Sequence, residues 1–329
     1  MIAPEPEDEQ SQTERLRLRV VMMLRSELGA EFLKALEDKN VTDISLNGDG
    51  KLWLRRLGGS AWEHFGSLQA QRAESAIKTI ADMIGAIVNR QNPFLADEFP
   101  LDGSRLQVVL PPASDAPLLV LRKHASMVFS LDNYVDKGML TANTANILKR
   151  AVADRINIVV AGGTGSGKTT FLNALLAEIA KTNDRLFVLE DTKELQPTST
   201  NLNRMYASSL PNGMTVTMAN LLHAALRMMP DRIVLGEIRD GAAAIELFQM
   251  WNTGHPGGLA TVHSDSALDT LYRFHELMAS VGMVPIPSRI AKTIGYVVYL
   301  KQRNGRREVE ETVRVDGYRD GEYALTRVV

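Results

Sequence analysis

The sequence predicts an α/β protein in which a smaller α+β domain precedes a larger domain with a mostly parallel sheet. Two observations lead to this fold class. Beyond Met139, strand-like and helix-like segments alternate along the chain, which is the order that a parallel sheet with helical crossovers requires. Residues 14–124 instead carry helical periods and short apolar strands without regular alternation. We therefore predict one domain over residues 14–124 and a second over residues 139–329.

The first half of the chain predicts a lead-in, an α+β domain and a linker. Residues 1–13 are rich in Pro and Glu and predict a disordered lead-in. The spacing of apolar residues that follows predicts two helical pieces that meet at Gly29. A hairpin is predicted for VTDISLN and KLWLRRL around GDG, then a helix for AESAIKTIADMIGAIVN and strands for LDGSRLQVVLPP and APLLVLRKH. Residues 125–138 lack a clear period and predict the linker.

The second half predicts strands and helices in alternation. The predicted helices are TANTANILKRAVAD, TTFLNALLAEIA, NLLHAALRMM, GAAAIELFQMW and ALDTLYRFHELMA. The strands between them are RINIVV, RLFVLE, DRIVLG and GLATVH, with an irregular segment after RLFVLE. The tail, with YVVYLKQ, REVEETVRV and YALTRVV, predicts additional antiparallel strands.

Composition excludes several classes of function. The chain of 329 residues has no cysteine, which excludes disulfides, cysteine-ligated zinc and thiol catalysis. Proteins that bind nucleic acid directly usually carry a basic stripe with aromatic side chains for stacking. A formal net charge of −2 and 6% aromatic residues therefore disfavour direct nucleic-acid binding. The acidic N-terminus and the lack of a long apolar run predict a cytosolic protein that at most touches a membrane.

The segment AGGTGSGKTT predicts a site for ATP and Mg²⁺. It fits the pattern G-x-x-x-x-G-K-[ST] and lies between an apolar strand and a helix. The alternative is a glycine-rich loop that only changes the direction of the chain, and such a loop does not need this context. Glycines let successive backbone N–H groups surround a phosphate, while the lysine and the helix N-terminus supply positive charge. The Thr169 hydroxyl is a candidate Mg²⁺ ligand. The predicted nucleotide-binding residues are Gly162, Gly163, Thr164, Gly165, Ser166, Gly167, Lys168, Thr169 and Thr170.

Acidic residues follow two of the predicted strands. Glu237 lies just past the end of the strand in DRIVLGEIRD, where open α/β sheets bind ligands, with Gly236 where many such motifs carry an aspartate. We predict that Glu237 contacts the metal, directly or through water, or acts as general base. Glu190, Asp191 and Glu194 follow RLFVLE and are candidates for positioning metal or water, with Asp191 a candidate metal ligand. The alternatives are a surface acid at Glu237 and a solvated helix start in EDTKE.

Polar residues end a further strand, in GLATVHSDSA. Thr261, His263 and Ser264 are candidates for sensing or neutralising the γ-phosphate, with His263 the catalytic candidate among them. His255, in the loop NTGHPGG, is a weaker candidate.

The ordered motifs AGGTGSGKTT, VLEDTKEL, PDRIVLGEIRD and TGHPGGLATVHSDSA resemble those of the secretion ATPases of type II, type IV and pilus systems. They are most similar to the TrbB-type ATPases of the conjugal-transfer branch of type IV secretion. The likeness extends to VTDISLNGDGKLWL, FPLDGSRLQVVLPP and LVLRKH in the first domain.

The resemblance implies a RecA-like P-loop ATPase domain after the first domain, in a homohexameric ring. It implies Mg²⁺-dependent ATP hydrolysis at the cytoplasmic face of the inner membrane, with membrane components of a secretion apparatus as partners. Arg105 and Arg122 match arginines that reach the nucleotide from the first domain, where a guanidinium can stabilise phosphate charge. Arg204 and Arg239 are further candidates near the site or between subunits.

Three alternative functions stay open. A pilus assembly or retraction ATPase shares the motifs, although the chain has no tetracysteine zinc module, which disfavours the assembly subgroup. A nucleic-acid translocase or helicase on a RecA-like core would favour a basic, aromatic surface. An ATP-binding assembly factor without turnover would have lost Lys168 or Glu237, and both are present. The helix LRLRVVMMLRSEL could rest on anionic lipid or simply pack against its own domain.

Overall fold

The computed structural model of the protein describes residues 9–57, 59, 61–124, 128–209, 215–303 and 306–328. Contacts divide the chain into two compact units, residues 1–126 and 127–329. Most of the predicted lead-in, residues 1–8, and residues 125–127 of the predicted linker lie outside the described residues.

The first unit is an antiparallel sheet with two helices. Its elements are α1 (Glu9–Glu37), β1 (Val41–Leu46), β2 (Lys51–Arg56), β3 (Glu63–Ser67), α2 (Ala70–Ile84), β4 (Phe94–Glu98), β5 (Arg105–Val109) and β6 (Leu118–Arg122). The sheet has the order β3-β2-β1-β6-β5-β4. Alternate strand residues such as Ile44 and Leu121 form one core with Phe32 of α1 and Ile77 of α2. The other set of side chains along each strand therefore lies on the opposite face of the sheet.

The predicted hairpin and the predicted break at Gly29 are confirmed. β1 and β2 pair antiparallel, and Gly29 interrupts α1 with φ 82° and ψ 165°, a conformation that glycine adopts at little cost. The sequence missed β3 and β4 because both are edge strands whose partial exposure removes the alternation that identifies a strand.

The second unit is an α/β domain around one eight-stranded sheet. Its helices are α3 (Leu131–Asp136), α4 (Ala142–Ala153), α5 (Lys168–Ile179), α6 (Met218–Leu226), α7 (Gly241–Asn252), α8 (Ala267–Ser280) and α9 (Pro287–Thr293). Its strands are β7 (Ile158–Gly162), β8 (Leu186–Glu190), β9 (Leu202–Tyr206), β10 (Ser208–Ser209), β11 (Thr215–Val216), β12 (Arg232–Ile238), β13 (Leu259–Val262), β14 (Tyr296–Arg303), β15 (Arg306–Arg319) and β16 (Glu322–Arg327).

The strand order positions the site. The sheet runs β16-β15-β14-β7-β13-β12-β8-β9. From β14 to β9 every neighbouring pair is parallel, whereas β15 pairs antiparallel with both β14 and β16. The carboxyl ends of β7, β13, β12 and β8 therefore meet at one edge of the sheet, which is where α/β proteins bind ligands.

Two helical layers bury this sheet. Alternate residues of the central strands pack into a core with α3, α4 and α5 on one face, and into a second core with α6, α7, α8 and α9 on the other. This double burial explains why the central strands are continuous apolar runs in the sequence.

Several predictions differ from the structure. Residues 9–13 of the predicted disordered lead-in belong to α1. Residues 131–136 of the predicted linker form α3, because Leu131 and Tyr134 are buried in the core of the second unit. The irregular segment after β8 contains β9, an edge strand whose Asn and Arg mask its pattern. The tail is not wholly antiparallel, because β14 pairs parallel with β7. No described helix combines the length and the apolar character that crossing a membrane needs.

Candidate functional site

The glycine-rich loop joins β7 to α5 at the carboxyl edge of the sheet. β7 ends at Gly162 and α5 begins at Lys168, so the strand and the helix lie where the pattern predicts them. Gly162 has φ 150°, and a β-carbon there would lie 2.3 Å from the carbonyl oxygen of Leu300. Gly167 caps α5 with φ 99°. Both positions therefore require glycine, for close approach in the first case and for backbone conformation in both.

Lys168 places a positive charge inside this loop. Its side chain is buried, and Nζ donates hydrogen bonds to the carbonyl oxygens of Gly162 at 3.0 Å and Gly163 at 3.1 Å. Within the described residues, the buried Ser166 hydroxyl has no hydrogen-bond partner. The loop thus combines a cation, a buried donor in need of an acceptor and a helix N-terminus, which are groups that suit a phosphate chain.

Glu190 organises the loop of acidic residues after β8. Its carboxylate is 1% exposed and accepts hydrogen bonds from the backbone N–H groups of Glu194 at 2.9 Å and Leu195 at 2.7 Å. Arg204 of β9 donates to its other oxygen at 2.9 Å. Burial raises the pKa of Glu190, and the hydrogen bonds from Leu195 and Arg204 only partly oppose that effect. The side chain thus connects the start of this turn, at Glu190, to its end at Glu194 and Leu195.

That turn brings Glu194 to the phosphate-loop helix. The Thr169 hydroxyl donates to Oε2 of Glu194 at 3.2 Å, so two residues that the sequence separates widely become neighbours. Asn173, one turn further along α5, donates to the carbonyl oxygen of Glu194 at 3.3 Å and accepts from the N–H of Gln196 at 2.7 Å. Sequence analysis missed Asn173, although its spacing of four from Thr169 places it on the same helix face.

Glu237 and Asp191 share one arginine. The sequence placed Glu237 just past the end of its strand, and this prediction is wrong: Glu237 is the second-last residue of β12. Arg239 donates to Oε2 of Glu237 from Nε at 2.9 Å and from Nη2 at 2.7 Å. Its Nη1 also donates to Asp191. The candidate acids at the ends of β12 and β8 are therefore linked through a guanidinium.

Gly236 gives Glu190 its space. A β-carbon on Gly236 would lie 3.3 Å from Cγ of Glu190, which is closer than ordinary packing. The carbonyl oxygen of Gly236 accepts a hydrogen bond from the buried Thr261 hydroxyl at 2.6 Å. A side chain at position 236 would therefore require the Glu190 side chain to shift by a few tenths of an ångström.

The polar candidates in and around β13 lie in different environments. Ser264 is buried and shares a hydrogen bond of 2.7 Å with the hydroxyl of Thr270 on α8. The Thr261 hydroxyl donates its hydrogen bond to the carbonyl oxygen of Gly236. His263 is exposed at the end of β13, between the ends of β7 and β12. Nδ1 of His255 lies 2.8 Å from the carbonyl oxygen of Pro230, which precedes β12. His255 therefore lies towards the opposite edge of the sheet.

Arg105 and Arg122 are neighbours within the first unit. They are directly paired residues of β5 and β6, so their side chains lie on the same face of that sheet. Arg122 is also paired across the strands with Asp43 of β1, whose carboxylate accepts a hydrogen bond from Arg55 at 3.0 Å.

The residues present fit a Mg²⁺–nucleotide pair better than a metal held by protein alone. Across the described ranges, no group of three or more His, Asp or Glu side chains is arranged to hold a metal. Mg²⁺ commonly takes few protein ligands and completes its shell with phosphate oxygens and water. The Thr169 hydroxyl beside Glu194 is a suitable partner for such an ion.

Comparisons with known proteins identify relatives of the chain in sequence and in fold. Residues 27–310 match the family model described as Type II/IV secretion system protein. The chain is 39% identical to the conjugal transfer protein TrbB of Rhizobium radiobacter over 93% of both chains. Its fold is similar to that of the ATPase DotB of Legionella pneumophila, with a TM-score of 0.61 and 20% identity over 84% of this chain and 77% of DotB. It is similar also to the pilus retraction motor PilT with bound ADP, with a TM-score of 0.60 and 18% identity over 90% of this chain and 80% of PilT.

Proposed function

The chain belongs to the type II/IV secretion system protein family, and on that premise we propose that it is a Mg²⁺-dependent ATPase that energises conjugative transfer. The observation that carries the proposal is the buried ammonium of Lys168 inside a glycine-rich loop at a helix N-terminus. This arrangement favours the β- and γ-phosphates of a nucleotide.

The residues around the loop divide the work of hydrolysis. In this proposal Gly162–Thr170 hold the phosphates, and Thr169 with Glu194 holds the metal side of the nucleotide. When bound, Mg²⁺ neutralises charge on the β- and γ-phosphates. Glu237 orients the attacking water and accepts its proton. It does so either after its hydrogen bonds with Arg239 break or while they remain. His263, at the end of β13 beside β7, is proposed to contact the γ-phosphate.

The proposed active form is a homohexameric ring of RecA-like domains. Arg105 and Arg122 supply guanidinium groups to the nucleotide, where planar forks suit phosphate oxygens and stabilise the charge of phosphoryl transfer. Hydrolysis would then change the preferred arrangement of the domains, which is how γ-phosphate release commonly drives motion.

We propose that the ring works at the cytoplasmic face of the inner membrane, bound to membrane components of the secretion apparatus. The support within the chain is α1, whose Leu16, Leu18 and Met22 are 65%, 58% and 71% exposed. Arginines at 15, 17 and 19 alternate with these residues. Apolar and basic side chains together suit a partner protein or an anionic lipid surface.

The test is ATP hydrolysis by the full-length protein, with molar mass measured by light scattering in the same samples. We expect turnover that needs Mg²⁺, in a species of about six chains as the family resemblance implies. Lys168→Ala should abolish turnover, because it removes the cation of the loop. Lys181→Ala is the matched control, since Lys181 follows the other end of α5 and pairs there with Glu178. Turnover that survives Lys168→Ala, or is lost equally in the control, would contradict the proposal.

A further inference from the structure

A strand pair distant in sequence flanks the phosphate loop. β14 runs parallel to β7 in a register that pairs Leu300 with Gly162, the last residue of β7. β14 continues to Arg303, so its final residues extend beyond the end of β7 and along the loop. Gln302 and Arg307 are cross-strand partners in the β14–β15 pair. Gln302 and Arg307 thus lie beside the glycine-rich loop.

Arg307 lies against the last glycine of the loop. A β-carbon on Gly167 would lie 3.1 Å from Cδ and 3.9 Å from Nε of Arg307. Its partner Gln302 is also close, since a β-carbon on Gly165 would lie 3.7 Å from Oε1 of Gln302. The two side chains therefore approach two successive glycines of the same loop.

Strand alternation separates Arg307 from the acidic residues of its own strand. Glu308 and Glu310 project to the other face of the strand pair, where they form ion pairs with Arg303 and Lys301. Arg307 shares its face with Gln302 and is directed to the loop. The ion pairs of Glu308 and Glu310 therefore lie on the face of the strand pair that is turned away from Gln302 and Arg307.

The position concentrates positive charge. Gly167 caps the N-terminus of α5, where the helix dipole and unpaired N–H groups favour an anion. Lys168, the next residue, already adds one cation. Without an anion, a second cationic side chain at this turn is repelled by Lys168 and by the helix N-terminus. With a phosphate bound, all three attract the anion, so the second cation favours the bound state.

We propose that Arg307 is a nucleotide-binding residue that contacts phosphate oxygens of ADP and ATP from the β14–β15 side, opposite the acidic residues of β8 and β12. The inference rests on the proposed function. It assigns to the C-terminal strands a direct part in nucleotide binding, with the planar guanidinium complementing the point charge of Lys168.

The test is the affinity of the full-length protein for ADP and for inorganic pyrophosphate, measured by titration calorimetry. We expect Arg307→Gln to weaken both by about tenfold to a hundredfold, the usual effect of one charge-assisted hydrogen bond. Arg307→Lys should keep part of the affinity. Arg314→Gln is the control, because Arg314 lies on the same strand, has the same charge and pairs with Asp316.

Each outcome decides the matter. Unchanged affinity in Arg307→Gln, or an equal loss in Arg314→Gln, overturns the inference. A loss for ADP without a loss for pyrophosphate also overturns it, because the contact would then lie away from the phosphates. A loss that comes with a lower melting temperature of the nucleotide-free protein, and that Arg307→Lys does not relieve, assigns Arg307 a structural role instead. If the wild-type protein binds neither ligand, the proposed function fails first.

Discussion

Replacing Glu190 by alanine should both destabilise the second unit and slow ATP hydrolysis. The carboxylate is almost fully buried, and its loss leaves the backbone N–H groups of Glu194 and Leu195 without an acceptor. Each buried donor left unpaired costs about 1–3 kcal/mol, so the change should cost about 2–6 kcal/mol. Arg204 adds less, because its side chain is 30% exposed and can turn to water.

Urea unfolding of the full chain measures this cost. Trp251 lies in the second unit, so its fluorescence follows that unit alone once Trp53 and Trp62 are replaced by Phe. A loss of this size should lower the urea midpoint by about 1–2 M for a unit of this size. Turnover should fall as well, because the same turn carries Glu194 to Thr169.

Glu190→Gln is the matched variant and carries the pH prediction. Glutamine keeps an acceptor for the two N–H groups and loses the ion pair with Arg204, so it should cost about 1–3 kcal/mol, less than alanine. Burial raises the pKa of Glu190 above its ordinary 4.5, so the folded state binds this proton more tightly than the unfolded state. Its contribution to stability therefore falls as pH rises from 4.5 through the folded pKa, and Glu190→Gln should remove that slope. An alanine variant with the urea midpoint and turnover of the wild type would refute the reasoning.

Three further predictions test other parts of the fold and site. Asp184→Asn should cost about 3–5 kcal/mol in urea unfolding, because it leaves the buried charge of Arg232 unpaired. Burial alone would raise the pKa of Asp184, but the hydrogen bonds from Arg232, Thr182 and Arg155 and the charge of Arg232 together lower it. The wild type should therefore lose this stabilisation as pH falls through the lowered pKa, and an acid titration without that loss would count against the pair. Gly236→Asp should lower the ATPase rate, because its β-carbon would lie 3.3 Å from Cγ of Glu190; an unchanged rate would show that the packing is not needed. Leu18→Glu should reduce co-sedimentation with anionic vesicles, with phosphatidylcholine vesicles as control, and equal binding by both proteins would exclude α1 from lipid contact.

The sequence predicted the parts of the fold that are buried on both sides. β7, β8, β12 and β13 are continuous apolar runs because helices cover both faces of their sheet, and such runs are visible without a structure. The edge strands β3, β4 and β9 were missed because exposure removes the pattern. The parallel pairing of β14 with β7 could not be read from its composition, which suits either direction.

Prediction of the site was limited in the same physical way. The glycine spacing located the phosphate loop, since backbone conformation leaves a direct trace in sequence. The pattern EDTKE could not distinguish a solvated helix start from a buried carboxylate that organises a turn, because burial of Glu190 depends on Gly236 and Arg204 from other strands. Asn173 and Arg307 reach the loop through tertiary contacts that no local motif records.

The most direct test of the central claim is a comparison of ATP binding and ATP turnover in Glu237→Gln, with Glu276→Gln as a control at an exposed acid of α8. If Glu237 activates water, the variant should bind ATP like the wild type and hydrolyse it about a hundredfold to ten-thousandfold more slowly. Full turnover in Glu237→Gln, with ATP bound as tightly as in the wild type, would contradict the account.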